Sequence, residues 1–350
     1  MPVLVNPTLV RTCPPNLNHW YVVAASAEVA HQPLPIVLWH QALVLYRTPQ
    51  GTVVALEDRC PHRQVKLSEG QVVGANLECA YHGWCFDPQG HCVAVPYLKG
   101  EKLPPCRVRS YPVREQDGFI WLYPGTKDPQ ASSPLALPQW HHLNHIASFA
   151  PFHCPGHFSF LIENLMDMYH GHLHDHYQAW ASAELQRLEV EGDRITAIYQ
   201  AQSYYKIDKI WSVAQLFLPA LRRLHPEPLT VTYEYPHWVA SLGDDFKICC
   251  LFCPVSATET KAYLVHFTSL EAFPNLHKSP LALRRFLKNR LTGSATPLLR
   301  GLIEQDIVMI AQEQQAFLTA PQQASYEVNP AIAQVQKFIW LQAQNHKEEG

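Results

Sequence analysis

The 350-residue sequence predicts an α+β fold made of two domains. Residues 20–125 are short runs rich in Val, Ile, Leu and aromatic residues, separated by Pro and Gly, which is typical of a small antiparallel β domain. Further β-like runs continue to residue 268, whereas residues 159–176 and 279–317 have helical periodicity. We therefore predict an N-terminal antiparallel β domain, followed by a larger domain whose antiparallel sheet is flanked by helices.

The predicted domain boundary lies in a segment rich in Pro, Ser and His. This segment, residues 127–145, separates the first β-like region from the rest of the chain and has the composition of a connector. We therefore assign residues 1–128 to the first domain and residues 129–350 to the second.

Composition and charge exclude several classes of protein. A net charge of −3 does not favour nucleic-acid binding, and basic clusters such as Arg284-Arg285 are short. No run approaches the roughly 18–20 apolar residues that span a bilayer, and the N-terminal residues lack the pattern of a signal peptide. Ten cysteines are therefore expected to be reduced thiols in the cytoplasm, some of them ligands, and twenty histidines favour metal binding.

A cysteine–histidine pattern in residues 60–84, CPHRQVKLSEGQVVGANLECAYHGW, predicts a metal centre. Cys60 and His62 lie in one short loop, and Cys79 and His82 lie in another. Tetrahedral zinc accepts two cysteines and two histidines, but zinc fingers usually group like ligands together. One thiolate and one imidazole per loop suit a two-iron cluster in which one iron takes both sulfurs and the other takes both nitrogens.

The motif CPHR…CAYHGW resembles the Rieske [2Fe–2S] motif, and residues 19–125 resemble a Rieske domain. The resemblance implies that Cys60 and Cys79 bind one iron and that His62 and His82 bind the outer iron. Trp84 is expected to pack beneath the loop. Four nearby residues fit no ligand spacing and are expected to be structural: Cys85, His91, Cys92 and Cys106.

A second metal centre is predicted from the segment ENLMDMYHGHLHDH, residues 163–176. At 100° per residue, four side chains fall within an arc of about 120° on one helix face: Asn164, Asp167, His170 and His174. His172 and His176 fall on the far side, so that one histidine pair can converge on a metal with Asp167. The alternative is an exposed, histidine-rich helix.

A third protein ligand is predicted in the segment LRGLIEQDIVMIAQEQQAF, residues 299–317. Asp306 lies in the apolar stripe of this helix, where a carboxylate is costly unless it is paired or bound to a metal. Glu304 points away from the stripe, whereas Glu313 shares the face of Asp306 and is the rival ligand. Two histidines and one carboxylate form the facial triad of non-haem ferrous centres and leave positions open.

The whole chain resembles the terminal oxygenase (α) subunit of Rieske non-haem iron oxygenases. That family carries Asn-x-x-Asp-x-x-His, a second His four or five residues later and a distant Asp in a C-terminal helix, which Asn164, Asp167, His170, His174 and Asp306 match in order. The resemblance implies an Fe(II) ion on the last three residues, O2 as co-substrate and a homotrimer. A ferredoxin or flavin reductase would supply electrons to the cluster. Asp167 would then bridge a cluster histidine of the neighbouring subunit and His170.

The expected reaction is hydroxylation, dihydroxylation or oxidative demethylation of a small apolar, ring-containing substrate. Aromatic residues between 199 and 273 are candidates for its pocket: Tyr204, Tyr205, Trp211, Phe217, Tyr233, Trp238 and Phe252. The segment CAYHGWCFDPQGHC is similar to the branch of pheophorbide a oxygenase and chlorophyllide a oxygenase, although that branch's Cys-x-x-Cys is missing. Two alternatives remain at this point, an electron-transfer Rieske protein without oxygenase chemistry and a zinc-bound structural protein.

Overall fold

The computed structural model describes residues 7–98, 102–174, 180–203, 224–244, 246–273, 275–323 and 326–347. The chain divides into two compact units, a smaller one formed by Asn16–Ala136 and a larger one formed by Met1–Pro15 with Leu137–Gly350. The functional boundary after residue 128 stays a prediction.

The described residues of the smaller unit form three antiparallel sheets, which confirms a small β domain. The strand orders are β1-β11-β10, β2-β3-β4-β9 and β5-β6-β7-β8. Their bounds are β1 (Tyr21–Ala25), β2 (Leu34–Leu38), β3 (Gln41–Arg47), β4 (Val53–Glu57), β5 (Gln71–Val73), β6 (Asn76–Glu78), β7 (Cys85–Phe86), β8 (Cys92–Ala94), β9 (Ser110–Tyr111), β10 (Val113–Gln116) and β11 (Phe119–Leu122).

One apolar core supports both loops of the predicted cluster site. Cys60, Cys79 and Cys92 are buried in it together with aliphatic and aromatic side chains from β3, β4, β6 and β7. Val44 and Leu56, which are register partners on β3 and β4, are fully buried there. Burial of apolar surface of this kind is the main favourable term that holds the loops in place.

The described residues of the larger unit form a seven-stranded antiparallel sheet with the order β12-β18-β17-β16-β15-β14-β13. The bounds are β12 (His145–Cys154), β13 (Trp180–Glu191), β14 (Arg194–Ser203), β15 (His225–Glu234), β16 (His237–Leu242), β17 (Phe246–Ser256) and β18 (Glu259–Ser269). On β14, Ile195, Ala197 and Tyr199 are fully buried and alternate with more exposed residues, as expected for a strand with one face on the core. The interior strand β17 is buried on both faces between Ile248 and Cys253.

Helices accompany the sheet of the larger unit, as the α+β prediction requires. Their bounds are α1 (Pro7–Val10), α2 (Phe158–Met166), α3 (Leu281–Leu291), α4 (Thr296–Thr319) and α5 (Pro330–Lys347). Helix α4 contacts both β12 and α2, which brings the C-terminal part of the chain to the histidine-rich segment. None of the helices within the described parts of the chain is both long enough and apolar enough to span a bilayer.

The prediction of one α-helix over residues 159–176 is wrong. Helix α2 ends at Met166, Asp167 has extended backbone angles, and Met168–His174 is a 3₁₀ helix. The carboxylate of Asp167 accepts a hydrogen bond from the main-chain N–H of Tyr169 at 3.0 Å, and this local bond competes with a continuing helix. His176 lies outside the described residues.

Candidate metal centres

The two loops of the predicted cluster site are closed by main-chain hydrogen bonds that aim their ligand side chains at each other. In the first loop, Cys60 N–H donates to the carbonyl of Val65 at 2.8 Å. In the second, Cys79 N–H donates to the carbonyl of Trp84 at 2.9 Å, and the imidazole rings of His62 and His82 lie 4.5 Å apart between centroids.

The second loop depends on a glycine. Gly83 has φ of +70°, a left-handed conformation that side chains rarely adopt, and its N–H donates to the carbonyl of Cys79 at 3.0 Å. A Cβ at this position would lie 2.8 Å from the ring of Pro96. The glycine of the sequence CAYHGW is therefore required by the loop geometry.

The electrostatics around Cys60 suit a metal-bound thiolate. Cys60 and Cys79 are 1% and 2% exposed, and burial raises the pKa of the Cys60 thiol to about 11. The N–H groups of His62 and Arg63 donate to the Cys60 sulfur, and its thiol contacts that of Cys79. A bound metal would stabilise the Cys60 thiolate against this cost of burial.

The histidines also fit a cluster. Burial, with the neighbouring His82 imidazole, lowers the pKa of His62 and so favours the neutral ring that binds metals. The Nδ1 atom of His62 is buried and has no hydrogen-bond partner in the described part of the chain. Trp84 stacks on the His62 ring, with centroids 4.7 Å apart and planes 5° from parallel, so it orients a predicted ligand.

In the larger unit, the structure brings three of the predicted residues together. One ligand atom from each of His170, His174 and Asp306 lies within 4.8 Å of the others. Asp306 Oδ1 is 3.7 Å from His170 Nε2 and 3.1 Å from His174 Nε2. Because both Nε2 atoms face one carboxylate oxygen, the arrangement offers two nitrogens and one oxygen, the donor set of a facial triad.

Neighbouring groups set the charge and tautomer of the two histidines. Burial lowers the pKa of His170, against the opposing effect of Asp306. Burial acts in the same direction on His174, but its hydrogen bond to Asp306 and the adjacent charge raise its pKa overall. The Nδ1–H of His174 donates to Gln305 Oε1 at 2.9 Å, so Nε2, which lies 3.1 Å from Asp306 Oδ1, is the nitrogen that would bind a metal in exchange for its proton. The site therefore favours a cation between the imidazoles and the carboxylate.

Asn164 and Asp167 take different positions. Asn164 Nδ2 donates to Asp306 Oδ1 at 3.3 Å, and its buried Oδ1 has no partner in the described residues. The Asp167 carboxylate accepts from Asn329 Nδ2 at 2.9 Å, whereas His170 bonds the main-chain carbonyl of Asp167. The expected bond from His170 to the Asp167 carboxylate is therefore replaced by one to its backbone.

Two residues near the triad were not identified from the sequence. Gln305 immediately precedes Asp306, and its orientation depends on the tertiary position of His174. Asn329 lies just before α5, where no motif marks it, and its Nδ2 also donates to Tyr199 Oη at 3.3 Å. Sequence spacing alone contains no signal for such long-range partners.

The remaining acidic and histidine candidates are not among the three side chains that converge. Glu304 and Glu313 on α4 are exposed, as is His172. Asp306, in contrast, has a side chain that is only 13% exposed and contacts both imidazoles. The geometry therefore favours Asp306 over Glu313 as the third ligand.

A mostly apolar pocket with about 790 Å³ of empty space, part of it open to solvent, adjoins the three side chains. On the sheet, Trp238, Cys250 and Leu264 are register partners on β16, β17 and β18, so they lie on one face and line the pocket. His170, from the 3₁₀ helix, and Asp306, from α4, also line the pocket.

Of the aromatic candidates for the pocket, Trp238 is a lining residue. Tyr233 and Phe252 are buried in the core and are not among the lining residues. The other four lie outside the described residues: Tyr204, Tyr205, Trp211 and Phe217.

Comparison with known proteins agrees with both centres. Residues 19–112 match the Rieske [2Fe-2S] domain family. The chain is 31% identical over 347 residues to the 4beta-methylsterol monooxygenase of Methylococcus capsulatus, covering 97% of this chain and 91% of that protein. It is 37% identical over 183 residues to the oxygenase component of dicamba O-demethylase from Stenotrophomonas maltophilia, covering 50% and 53% of the two chains.

The crystal structure of dicamba monooxygenase bound to dicamba has the same fold. The TM-score is 0.72 at 22% identity, over 96% of this chain and 100% of that one. The similarity to the branch of pheophorbide a oxygenase and chlorophyllide a oxygenase stays a prediction. A Rieske domain, a relative aligned over nearly its whole length and a candidate two-histidine, one-carboxylate site together exclude a plain electron carrier or a zinc structural protein. The chain belongs to the Rieske non-haem iron oxygenases.

Proposed function

We propose that this chain oxygenates an apolar, ring-containing substrate at a methyl group, by hydroxylation or oxidative demethylation. The observation that carries the proposal is that one apolar pocket is lined directly by His170, His174 and Asp306. A substrate bound in the pocket lies beside the place where O2 is activated. We propose a methyl group as the reacting position because two relatives are named a methylsterol monooxygenase and an O-demethylase.

His170, His174 and Asp306 are the proposed Fe(II) ligands, and Fe(II) held by them supplies the reduction and activation of O2. Gln305 holds the His174 ring in the tautomer that presents Nε2. Asn164 restrains the Asp306 carboxylate through its amide N–H. The apolar lining excludes water from the reaction, which protects oxidising chemistry from side reactions.

The proposed substrate carries one hydrogen-bond acceptor on an apolar framework. Trp238 is 4% exposed and lines the pocket, and its indole N–H has no hydrogen-bond partner among the described residues. A buried donor of this kind costs free energy unless a partner is present, and a substrate oxygen supplies one.

Cys60, His62, Cys79 and His82 are the proposed ligands of the [2Fe–2S] cluster, which receives electrons from a ferredoxin or a flavin reductase. In the proposed homotrimer, Asp167 connects the cluster of one subunit with His170 of the next. The main-chain bond from His170 keeps Asp167 next to this proposed iron ligand, while the Asp167 carboxylate accepts from Asn329. We place the chain in a reducing compartment, the cytoplasm, which is consistent with ten cysteines of which none is in a disulfide in the structure.

The test is oxygen incorporation from labelled O2. Purified protein, with a reductase, a ferredoxin and a panel of methyl-substituted ring compounds, is expected to consume O2 and to place one labelled atom in the product. Trp238→Phe, which removes the indole N–H together with part of the ring surface, should raise KM more for oxygen-bearing substrates than for hydrocarbons of similar shape. Two labelled atoms on adjacent ring carbons would instead identify a dioxygenase, and electron uptake without O2 consumption would contradict the proposal.

A further inference from the structure

Two cysteines that are not cluster ligands face each other in the smaller unit. Cys92 begins β8, and Cys106 lies in the segment before β9. Around them, His91 and Arg107 form an antiparallel bridge, and Cys92 N–H donates to the carbonyl of Cys106 at 3.4 Å. Cys92 and Cys106 are therefore directly opposed across two antiparallel segments.

This position suits a disulfide. Directly opposed residues of an antiparallel pair have Cα atoms about 4.5–5.5 Å apart. Disulfides require Cα atoms roughly 4.4–6.8 Å apart, so residues opposed in this way are suitably spaced for the bond. The two side chains are close enough to interact, since the neighbouring Cys106 thiol contributes to the raised pKa of Cys92. We therefore expect the bond to form mainly by side-chain rotation.

A third cysteine nearby has a different orientation. Cys85 on β7 pairs with Ala94, whereas Cys92 pairs with Phe86. The Cys85 thiol lies 3.6 Å from Glu78 Oε2 and 3.5 Å from the carbonyl of Gly83. Cys106 is therefore the partner of Cys92, and Cys85 serves as a natural control.

The two thiols differ in access. Cys106 is half-buried between exposed residues, whereas Cys92 is buried in the core that also holds Cys60 and Cys79. Burial raises the pKa of Cys92 to about 11, so this thiol stays protonated at neutral pH. A small oxidant therefore reaches Cys106 first, and Cys92 is positioned to resolve the product.

We propose that Cys92 and Cys106 form a reversible disulfide, a thiol redox site separate from the four cluster-ligand positions. With hydrogen peroxide as oxidant, Cys106 becomes a sulfenic acid and one water leaves. The Cys92 sulfur then attacks the Cys106 sulfur, the S–S bond forms and a second water leaves. Overall, two thiols and one peroxide give one disulfide and two waters, and both electrons reduce the peroxide. A dithiol reductant reverses the reaction by exchange.

The disulfide would restrain the sheet that carries the second cluster loop. Strand β8 is the edge strand of the sheet β5-β6-β7-β8, and the loop with Cys79 and His82 connects β6 to β7 in the same sheet. A covalent link from Cys92 to Cys106 ties this edge to the segment before β9. Oxidised protein is therefore expected to lose its visible cluster absorbance more slowly on heating than reduced protein.

The test uses the cluster-loaded protein, treated with hydrogen peroxide, blocked with an alkylating reagent, digested without reductant and analysed by mass spectrometry. The expected result is one linked peptide pair joining Cys92 and Cys106, two hydrogens lighter than the sum of its peptides, which dithiothreitol separates. Cys85→Ser should keep the link, and Cys106→Ser should abolish both the link and the slower loss of absorbance.

Two results would overturn the proposal in the parent protein itself, independently of any variant's folding. One is full alkylation of Cys92 and Cys106 after peroxide treatment that already oxidises other thiols of the chain. The other is a link between Cys92 and Cys85.

Discussion

Removal of the Gln305 side-chain acceptor tests whether the His174 tautomer is held for metal binding. Gln305 Oε1 accepts the Nδ1–H of His174 at 2.9 Å, and the His174 side chain is only 4% exposed. Gln305→Leu keeps the size of the side chain and removes the acceptor. The Nδ1–H is then buried without that partner, and the imidazole can turn or change tautomer, which withdraws Nε2 from the metal.

The expected loss of Fe(II) affinity can be taken from the usual effect of removing the hydrogen-bond partner of a metal-bound histidine. Loss of a hydrogen-bonding group behind a metal-bound histidine weakens metal binding about 10- to 100-fold. This factor corresponds to about 1.4–2.7 kcal/mol, since a tenfold change in an equilibrium constant is about 1.4 kcal/mol. Gln305→Glu retains an oxygen acceptor and should bind Fe(II) nearly as tightly as the parent.

The assay is anaerobic Fe(II) titration of protein that retains its cluster, with a chelator of known affinity as competitor. Gln312→Leu is the matched control, because Gln312 is exposed on the same helix. If Gln305→Leu binds Fe(II) with the parent affinity while the control behaves normally, the tautomer argument is refuted.

Three further predictions concern the loops and the elements around the triad. Gly83→Ala should lose the cluster, seen as loss of visible absorbance, because φ is +70° and a proline ring lies 2.8 Å from the added Cβ. Glu163→Gln should lower the free energy of unfolding by about 2–4 kcal/mol, since it breaks a two-bond ion pair with Arg11 whose side chains are 10% and 12% exposed. Asp167→Asn should keep both metals, by iron analysis and electron paramagnetic resonance, yet stop turnover.

Each of these predictions has a control or a contrary outcome. Gly74→Ala, at φ of +61° with no atom within 4 Å of the added Cβ, should keep the cluster. Glu189→Gln breaks an exposed pair with Arg187 and should change stability by less than about 1 kcal/mol. Turnover of Asp167→Asn at the parent rate would contradict the bridging role.

The β architecture was predictable because its signals are local. Short apolar runs bounded by Pro and Gly indicated the strands of both units, and the apolar stripe of residues 299–317 indicated α4. The continuous helix over residues 159–176 was wrong because the Asp167 carboxylate binds the N–H of Tyr169 and ends α-helical geometry there. The spacing of apolar residues does not show that a side chain will bond a nearby main-chain N–H in place of the helical carbonyl.

The candidate site was partly predictable for a similar reason. His170, His174 and Asp306 are polar or charged side chains at positions next to apolar residues. Such positions are costly without a partner, so residue type and position together predicted a metal site. Gln305 and Asn329 are ordinary polar residues, and only the packing of α4 and α5 brings them to His174 and Asp167. The opposition of Cys92 and Cys106 depends on the register of two distant segments, which spacing along the chain does not encode.

The most direct test of the central claim is iron analysis of Asp306→Ala beside Glu313→Ala. Both proteins are purified with the cluster intact, loaded with Fe(II) and measured for mononuclear iron and O2 consumption. We predict that Asp306→Ala keeps the Rieske signal and loses the extra iron and the O2 consumption, whereas Glu313→Ala retains all three. Parent levels of iron and O2 consumption in Asp306→Ala would contradict this prediction.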